Sequence, residues 1–260
     1  MAQEKVRLGG MALSNGVLVH GPTAWAAAVR LPDGELKVRS GRKRLRAGIF
    51  DRPVLRGPAR LLEAFSVLPQ LRRALPEARF AFERPSVAAS VLGSAAAARE
   101  IRDSERLSPA LKELATSVLA VAPAAVALGG SDLAAYHGAE HVAIGTYEHG
   151  ARAAKEHERC GSHLVGPILV TSAVARLLTA PLRGPLAAPA RALASLGAVA
   201  AATELFVWMT RNPDDPVANA LAKPGHALQH RLATAEPTPE QLAVAEAAVN
   251  ECLRLESTTP

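Results

Sequence analysis

The spacing of apolar and polar positions changes three times along the chain. Near the start, Asn15-Gly16-Val17-Leu18-Val19-His20-Gly21-Pro22 reads as a short strand running into a turn. Residues 25–30 and 35–39 then flank Leu31-Pro32-Asp33-Gly34, where proline and glycine occupy turn positions, and this predicts a β-hairpin. Over residues 60–75 the pattern becomes helical. Cations alternate with Leu61, Leu62, Phe65, Leu68 and Leu71, which suits an amphipathic helix lying against a core or a bilayer surface. Three long apolar stretches follow. Residues 114–130 carry no charge, residues 164–182 carry only Arg176, and residues 187–209 carry only Arg191 and Glu204. At about 1.5 Å per residue they reach ~26 to ~35 Å, against a hydrocarbon core of about 30 Å. Pairing of Arg176 with Glu204 between neighbouring helices would offset part of the cost of burying those charges in lipid. Asn212-Pro213-Asp214-Asp215-Pro216 is a helix stop, and Thr238-Pro239-Glu240-Gln241 is a helix start with its capping box. Leu242, Ala245, Val249, Cys252 and Leu253 form the apolar stripe of that last helix, which makes Cys252 a core residue.

These elements predict a mainly α (α+β) fold, an apolar, membrane-embedded helical bundle with a small N-terminal β-hairpin element. Three regions are expected: residues 1–82, basic, with the hairpin and the amphipathic helix; residues 83–212, the apolar helices; and residues 213–260, a C-terminal helical tail. Composition supports close helix packing. Hydrophobic residues make up 49% of the chain but aromatics only 3%, so the core is built from thin side chains. The net charge of +6 comes largely from arginines before residue 110, among them the compact run Arg39, Arg42, Lys43, Arg44 and Arg46. No aromatic residues interleave with that run and no nucleic-acid motif accompanies it, so membrane lipid is the expected partner and nucleic acid is not. A multi-pass cell-membrane protein with its basic N-terminal region in the cytoplasm follows from the positive-inside rule. Two distant cysteines, Cys160 and Cys252, give no disulfide framework. Met1 to Arg7 lacks the apolar core of a signal peptide. Gly9, Gly10 and Gly16 supply backbone freedom, since no helix start follows them as a phosphate cradle would require.

Chemistry concentrates between residues 137 and 163. Five of the eight histidines, His137, His141, His149, His157 and His163, fall within those 27 residues, together with Glu140, Glu148, Glu156 and Cys160. In Tyr136-His137-Gly138-Ala139-Glu140-His141 a helix stacks the two histidines one turn apart, with Glu140 beside them and Glu148 two turns on. His-x-x-Glu-His is also the inverted zincin pattern: the histidines hold zinc and the glutamate, not a ligand, takes the proton of the attacking water. A hydrolytic site needs a third protein ligand and an open position. Glu148 and His157 are the first candidates and Cys160 the next, the thiolate making the site softer and more zinc-like. A solvated helix face is the plainer reading of the same residues. Gly138, Gly145 and Gly150 cost such a helix about 1 kcal/mol each unless a backbone or substrate approaches closely. His226 and His230, spaced i, i+4 near Pro224-Gly225, could supply a remote ligand but suit a surface or capping role better.

The chain resembles the YqhQ-like family of uncharacterised bacterial membrane proteins. The resemblance rests on Gly9-Gly10, Gly16-Val17, Gly21-Pro22, Ala28-Val29-Arg30 in the hairpin, Leu55-Arg56-Gly57, Tyr136 to His141 with Tyr147-Glu148, Arg159-Cys160-Gly161 and Glu236-Pro237. Met11 and Asn15 stand where that family has Gln and Glu. The resemblance implies a multi-pass membrane protein with a metal-dependent activity and leaves the substrate open. The combined expectation is a zinc-type hydrolase acting on a membrane-proximal amide or ester. A divalent metal would be held by His137 and His141 with Glu148, His157 or Cys160, Glu140 would be the general base, and assembly as a homo-oligomer would be compatible with this. Two other classes stand beside it: a non-catalytic membrane scaffold with a structural metal, and a soluble helical interaction protein.

Overall fold

The computed structural model describes residues 5–46, 52, 53, 55–129 and 132–258. Met1 to Glu4 of the expected N-terminal segment, Gly130 of the first apolar stretch and Pro260 lie outside the described residues. The sheet is an antiparallel meander of β1 (Gly9–Leu13), β2 (Gly16–His20), β3 (Ala24–Arg30) and β4 (Leu36–Arg42), in that spatial order. The expected hairpin is β3–β4, closed by Leu31 N–H on Glu35 O and by Gly34 at φ 88°, a conformation that favours glycine. Asn15 secures the β1–β2 turn. Its Nδ2 donates to the carbonyls of Arg30 and Glu77, and its Oδ1 accepts from Arg79 N–H.

Alternation along the strands divides the sheet into two buried faces. Leu13, Leu18, Trp25, Ala27 and Val29 point to one side, where Val67 and Leu71 of α1 (Arg56–Ala74) meet them. Val17, Val19, Ala26 and Ala28 point to the other, against α4 (Leu133–His149) and α8 (Pro239–Ser257). The result is a three-layer body with the sheet in the middle. Helix α8 starts at the expected capping box, and its buried stripe includes Ala245, Val249 and Cys252. The sequence reads this helix as part of a tail, yet it seals the sheet. Glu256 accepts from the N–H groups of Thr23 and Ala24 at 2.8 Å each and from Thr23 Oγ1 at 2.7 Å. On the opposite face Lys43 and Glu63 form a buried ion pair at 2.9 Å, with His20 Nδ1 at 3.0 Å from Lys43 Nζ.

Two helical hairpins extend from this body. Helices α2 (Pro85–Asp103) and α3 (Pro109–Leu128) pack on each other, as do α5 (Val165–Thr179) and α6 (Ala187–Arg211). Helix α7 (Pro216–Leu228), capped by Asp215, leads back toward the body through a π turn, Gln229–Ala233. Two segments, Gly161–Thr179 and Ala187–Arg211, are long and apolar enough to cross a membrane. A third crossing would combine Val118–Leu128 with Leu133–His149 across an 85° bend. Helix α4, however, is buried between sheet and α8. Helices α5 and α6 differ in kind: Leu177 is 75% exposed and Leu193 71%, with Leu169, Val174, Leu178 and Leu196 also facing outward. Arg56 of α1 forms an ion pair with Glu204 of α6, the carboxylate that the sequence offers to Arg176.

Candidate metal centre

Helix α4 is buried along most of its length, and three glycines set how its neighbours approach. Gly138 lies against the carbonyl of Ala235, so any Cβ there would overlap it, and Ala235 N–H donates to Ala134 O at 2.9 Å. Gly145 admits Ala153, whose methyl would stand 2.7 Å from an added Cβ. Gly150, at φ 75°, ends the helix with its N–H on Thr146 O, and the chain then folds back along α4. The glycines that count against this helix in isolation are where the Ala235 carbonyl and the Ala153 methyl close on it and where the chain turns back.

Those contacts aim the histidines. His137 Nδ1 lies 2.9 Å from Ala233 O and His141 Nδ1 lies 2.7 Å from Lys155 O. A carbonyl only accepts, so each Nδ1 carries a proton and each Nε2 is the atom left for coordination. His137 Nε2 is 3.5 Å from Cys160 Sγ. One ligand atom from each of His137, His141 and Cys160 falls within 4.8 Å of the others. The His141 side chain is buried, and burial, reinforced by His137, lowers its pKa to about 3, so the ring is neutral at ordinary pH. Glu140, only 6% exposed, accepts no hydrogen bond from any described residue, and burial pushes its pKa up to about 7. Its carboxylate rests over Gly10 of β1, where an added Cβ would stand 2.5 Å from Oε1.

Glu148 and His157 are held differently. His157 Nδ1 accepts from Arg159 N–H at 3.3 Å, leaving Nε2–H to donate to Glu148 Oε2 at 3.1 Å. Glu148 Oε1 receives the Arg159 guanidinium. The structure therefore gathers His137, His141 and Cys160 into one set, and places Glu148 and His157 in an adjoining ionic cluster. His149 and His163 stand outside the set, and His163 Nδ1 donates to Glu158 O. His230 pairs with Glu156 at 2.9 Å.

Gln229 has no counterpart in the sequence reading. Fully buried, it accepts from His157 N–H at 2.8 Å, donates to His157 O at 3.2 Å and to Ser162 Oγ at 2.7 Å, and faces His163 Nε2 at 3.1 Å. It pins the returning loop on both sides of Cys160. No local motif marks a glutamine for this task, since its partners lie some 70 residues earlier in the chain.

A cavity of about 490 Å³ opens onto the three ligand atoms and Glu140, walled by β1, Leu128, Leu133 and Ile144. A second, of about 420 Å³, lies beyond Glu148 and His157 and reaches Phe206, Met209 and Thr210 of α6. Two nitrogen donors and one sulfur donor suit zinc, and three protein ligands leave a tetrahedral ion one position open. The residues present thus fit a divalent metal.

Residues 131–255 match the model of a family described as "Protein of unknown function (DUF1385)". The match contains α4 to α7, all but the last two residues of α8 and every candidate residue from His137 to Cys160, whereas the sheet and α1 to α3 precede it. No curated protein and no solved structure matches the chain.

Proposed function

We propose that this protein is a zinc-type, metal-dependent hydrolase of the bacterial cell membrane, akin to the YqhQ-like proteins, acting on an amide or ester near the bilayer. The observation that carries the reading is the pair of imidazoles, each fixed by a backbone carbonyl, with His137 Nε2 on the Cys160 thiol, one ligand atom of each of the three residues within 4.8 Å of the others, and Glu140 buried and unbonded alongside. Carbonyl-bound Nδ1 atoms are the usual support of ligating histidines. When bound, zinc supplies Lewis-acid polarisation and stabilises developing negative charge. His137, His141 and Cys160 hold it. Glu140 takes a proton from water in the cavity and returns it to the leaving group, and Leu128, Leu133 and Ile144 limit the entry of bulk water. Arg159, His157 and Glu148 brace the loop that carries Cys160. A closed structural site would need a fourth protein ligand, and among the described residues three converge. The outward leucines of α5 and α6 support membrane embedding, and the basic run around Arg42 supports a cytoplasmic N-terminal body.

Elemental analysis of the purified full chain tests the reading. The wild-type protein should hold about one zinc per chain and His137→Ala should lose it; equal metal in both would end the proposal. Glu140→Gln should keep the metal and abolish turnover of a panel of peptides and esters. Loss of metal from that variant would make Glu140 a ligand. In cobalt-loaded protein, Cys160→Ser should remove the thiolate-to-cobalt charge-transfer absorption.

A further inference from the structure

One wall of the metal-site cavity is bare backbone. Strand β1 is the outer strand of the sheet, and its free edge can be read from the register. Gly21 N–H donates to Ala24 O and Arg30 N–H donates to Asn15 O, so Asn15, Val17, Val19 and Gly21 direct their peptide groups toward β3. Gly16, Leu18 and His20 consequently direct theirs toward β1, where Leu13, Met11 and Gly9 are opposite. Gly10 and Ala12 are left pointing away from the sheet. The next residue of that set, Ser14, donates its N–H to Arg79 O at 2.8 Å and closes the edge there. No backbone or side-chain hydrogen bond from a described residue reaches Gly10 or Ala12 along it. Gly10 is exposed, and residues 9–12 line the same cavity as His137, His141, Cys160 and Glu140.

Open sheet edges recruit extended chains, and folded proteins usually blunt them. Here the open stretch stands directly under the Glu140 carboxylate, with only a hydrogen atom at residue 10 between backbone and acid. We infer that the substrate is an extended polypeptide, which adds to β1 as a short strand through the peptide groups of Gly10 and Ala12 and is cut at a peptide bond held beside Glu140. The inference rests on the metal-dependent hydrolase reading. Water oxygen bonds to the acyl carbon, the C–N bond breaks, and the proton taken by Glu140 passes to the departing amine, leaving a carboxylate and an amine. Leu128, Leu133 and Ile144 make the opposite wall apolar, so apolar side chains are preferred next to the cut.

The test uses the zinc-loaded full chain in detergent and fluorescence-quenched decapeptides with apolar central residues. In the Glu140→Gln background, saturating peptide should slow amide hydrogen exchange at Gly10 and Ala12 by about tenfold or more, and peptides N-methylated at alternate residues should not. In the active protein, Ala12→Pro removes only an outward N–H and should raise KM about tenfold with zinc retained, whereas Ala12→Ser, which keeps the N–H, should not. Peptide cleavage without protection of those two amides would overturn the edge-strand docking and leave the hydrolase standing. Turnover of esters with no cleavage of peptides would also overturn it. A chain that binds no zinc and cleaves neither class would remove both readings together.

Discussion

Replacing Gly138 with alanine probes the packing that aims His137. The new methyl would fall well inside contact distance of the Ala235 carbonyl oxygen, which cannot swing aside as a side chain would. Ala235 is tied through its N–H to Ala134 O at 2.9 Å, and two residues earlier Ala233 O receives the His137 Nδ1 proton at 2.9 Å. Room for the methyl requires α4 and residues 233–235 to separate by about 1 Å. Overpacking of this kind costs about 1–3 kcal/mol, and each stretched hydrogen bond adds about 1 kcal/mol. The better helix propensity of alanine returns about 1 kcal/mol. The net loss is about 2–4 kcal/mol, or a fall in Tm of about 4–16 °C for a chain of this size. Because the same shift removes the support of a ligating imidazole, zinc affinity should drop about 10- to 100-fold. Thermal melts with and without zinc, together with a competition titration against a chelating dye, measure both. A lowered Tm with unchanged zinc affinity would show that the Ala233 carbonyl does not orient the ligand. No change in either would refute the packing argument.

Two further outcomes follow from other parts of the molecule. Burial, with Lys43 next in effect, lowers the His20 pKa from 6.5 to about 4, so the stability it contributes is complete above pH 6.5 and is lost as pH falls toward 4. The wild-type protein should lose on the order of 2–3 kcal/mol more than His20→Gln between pH 7 and pH 4, read from chemical denaturation at the two pH values, and equal losses would dismiss the buried neutral ring. Alkaline carbonate extraction should leave the wild-type chain with the membrane pellet. Aspartates at Leu177 and Leu193 together should weaken its retention, each charge costing about 2.5–3.5 kcal/mol in hydrocarbon, and release of the wild-type chain would argue against embedding.

Local pattern was enough to read the β3–β4 hairpin, the α8 capping box and the paired imidazoles of α4, because each depends on residues within a turn or two of one another. The group that joins the two imidazoles was legible only as one of three candidates, Glu148, His157 and Cys160. Helical spacing puts Glu148 on the face of His137 and His141, but Gly150 turns the chain back at that level, and the returning Arg159 and His157 engage the carboxylate. Cys160 reaches the histidines because Gln229 holds the loop on both flanks, a contact set by tertiary packing alone. The same limit hid the role of α8. Its stripe was legible, but its partner was not, since β3 and β2 lie more than 200 residues earlier. Alternation in β2 and β3 gave no warning of burial on two faces, because Val17 to Val19 and Ala24 to Val29 are apolar on both.

The clasp of Glu256 on Thr23 and Ala24 bears on how the molecule is made. The β-meander is synthesised well before α8, so the layer that shelters Val17, Val19, Ala26 and Ala28 is missing while everything between is translated. The apolar hairpin of α5 and α6 is therefore complete before the body that bears the histidines can close. The enclosed cluster of His137, His141 and Cys160 becomes a late feature of the molecule, reached only once α8 is in place.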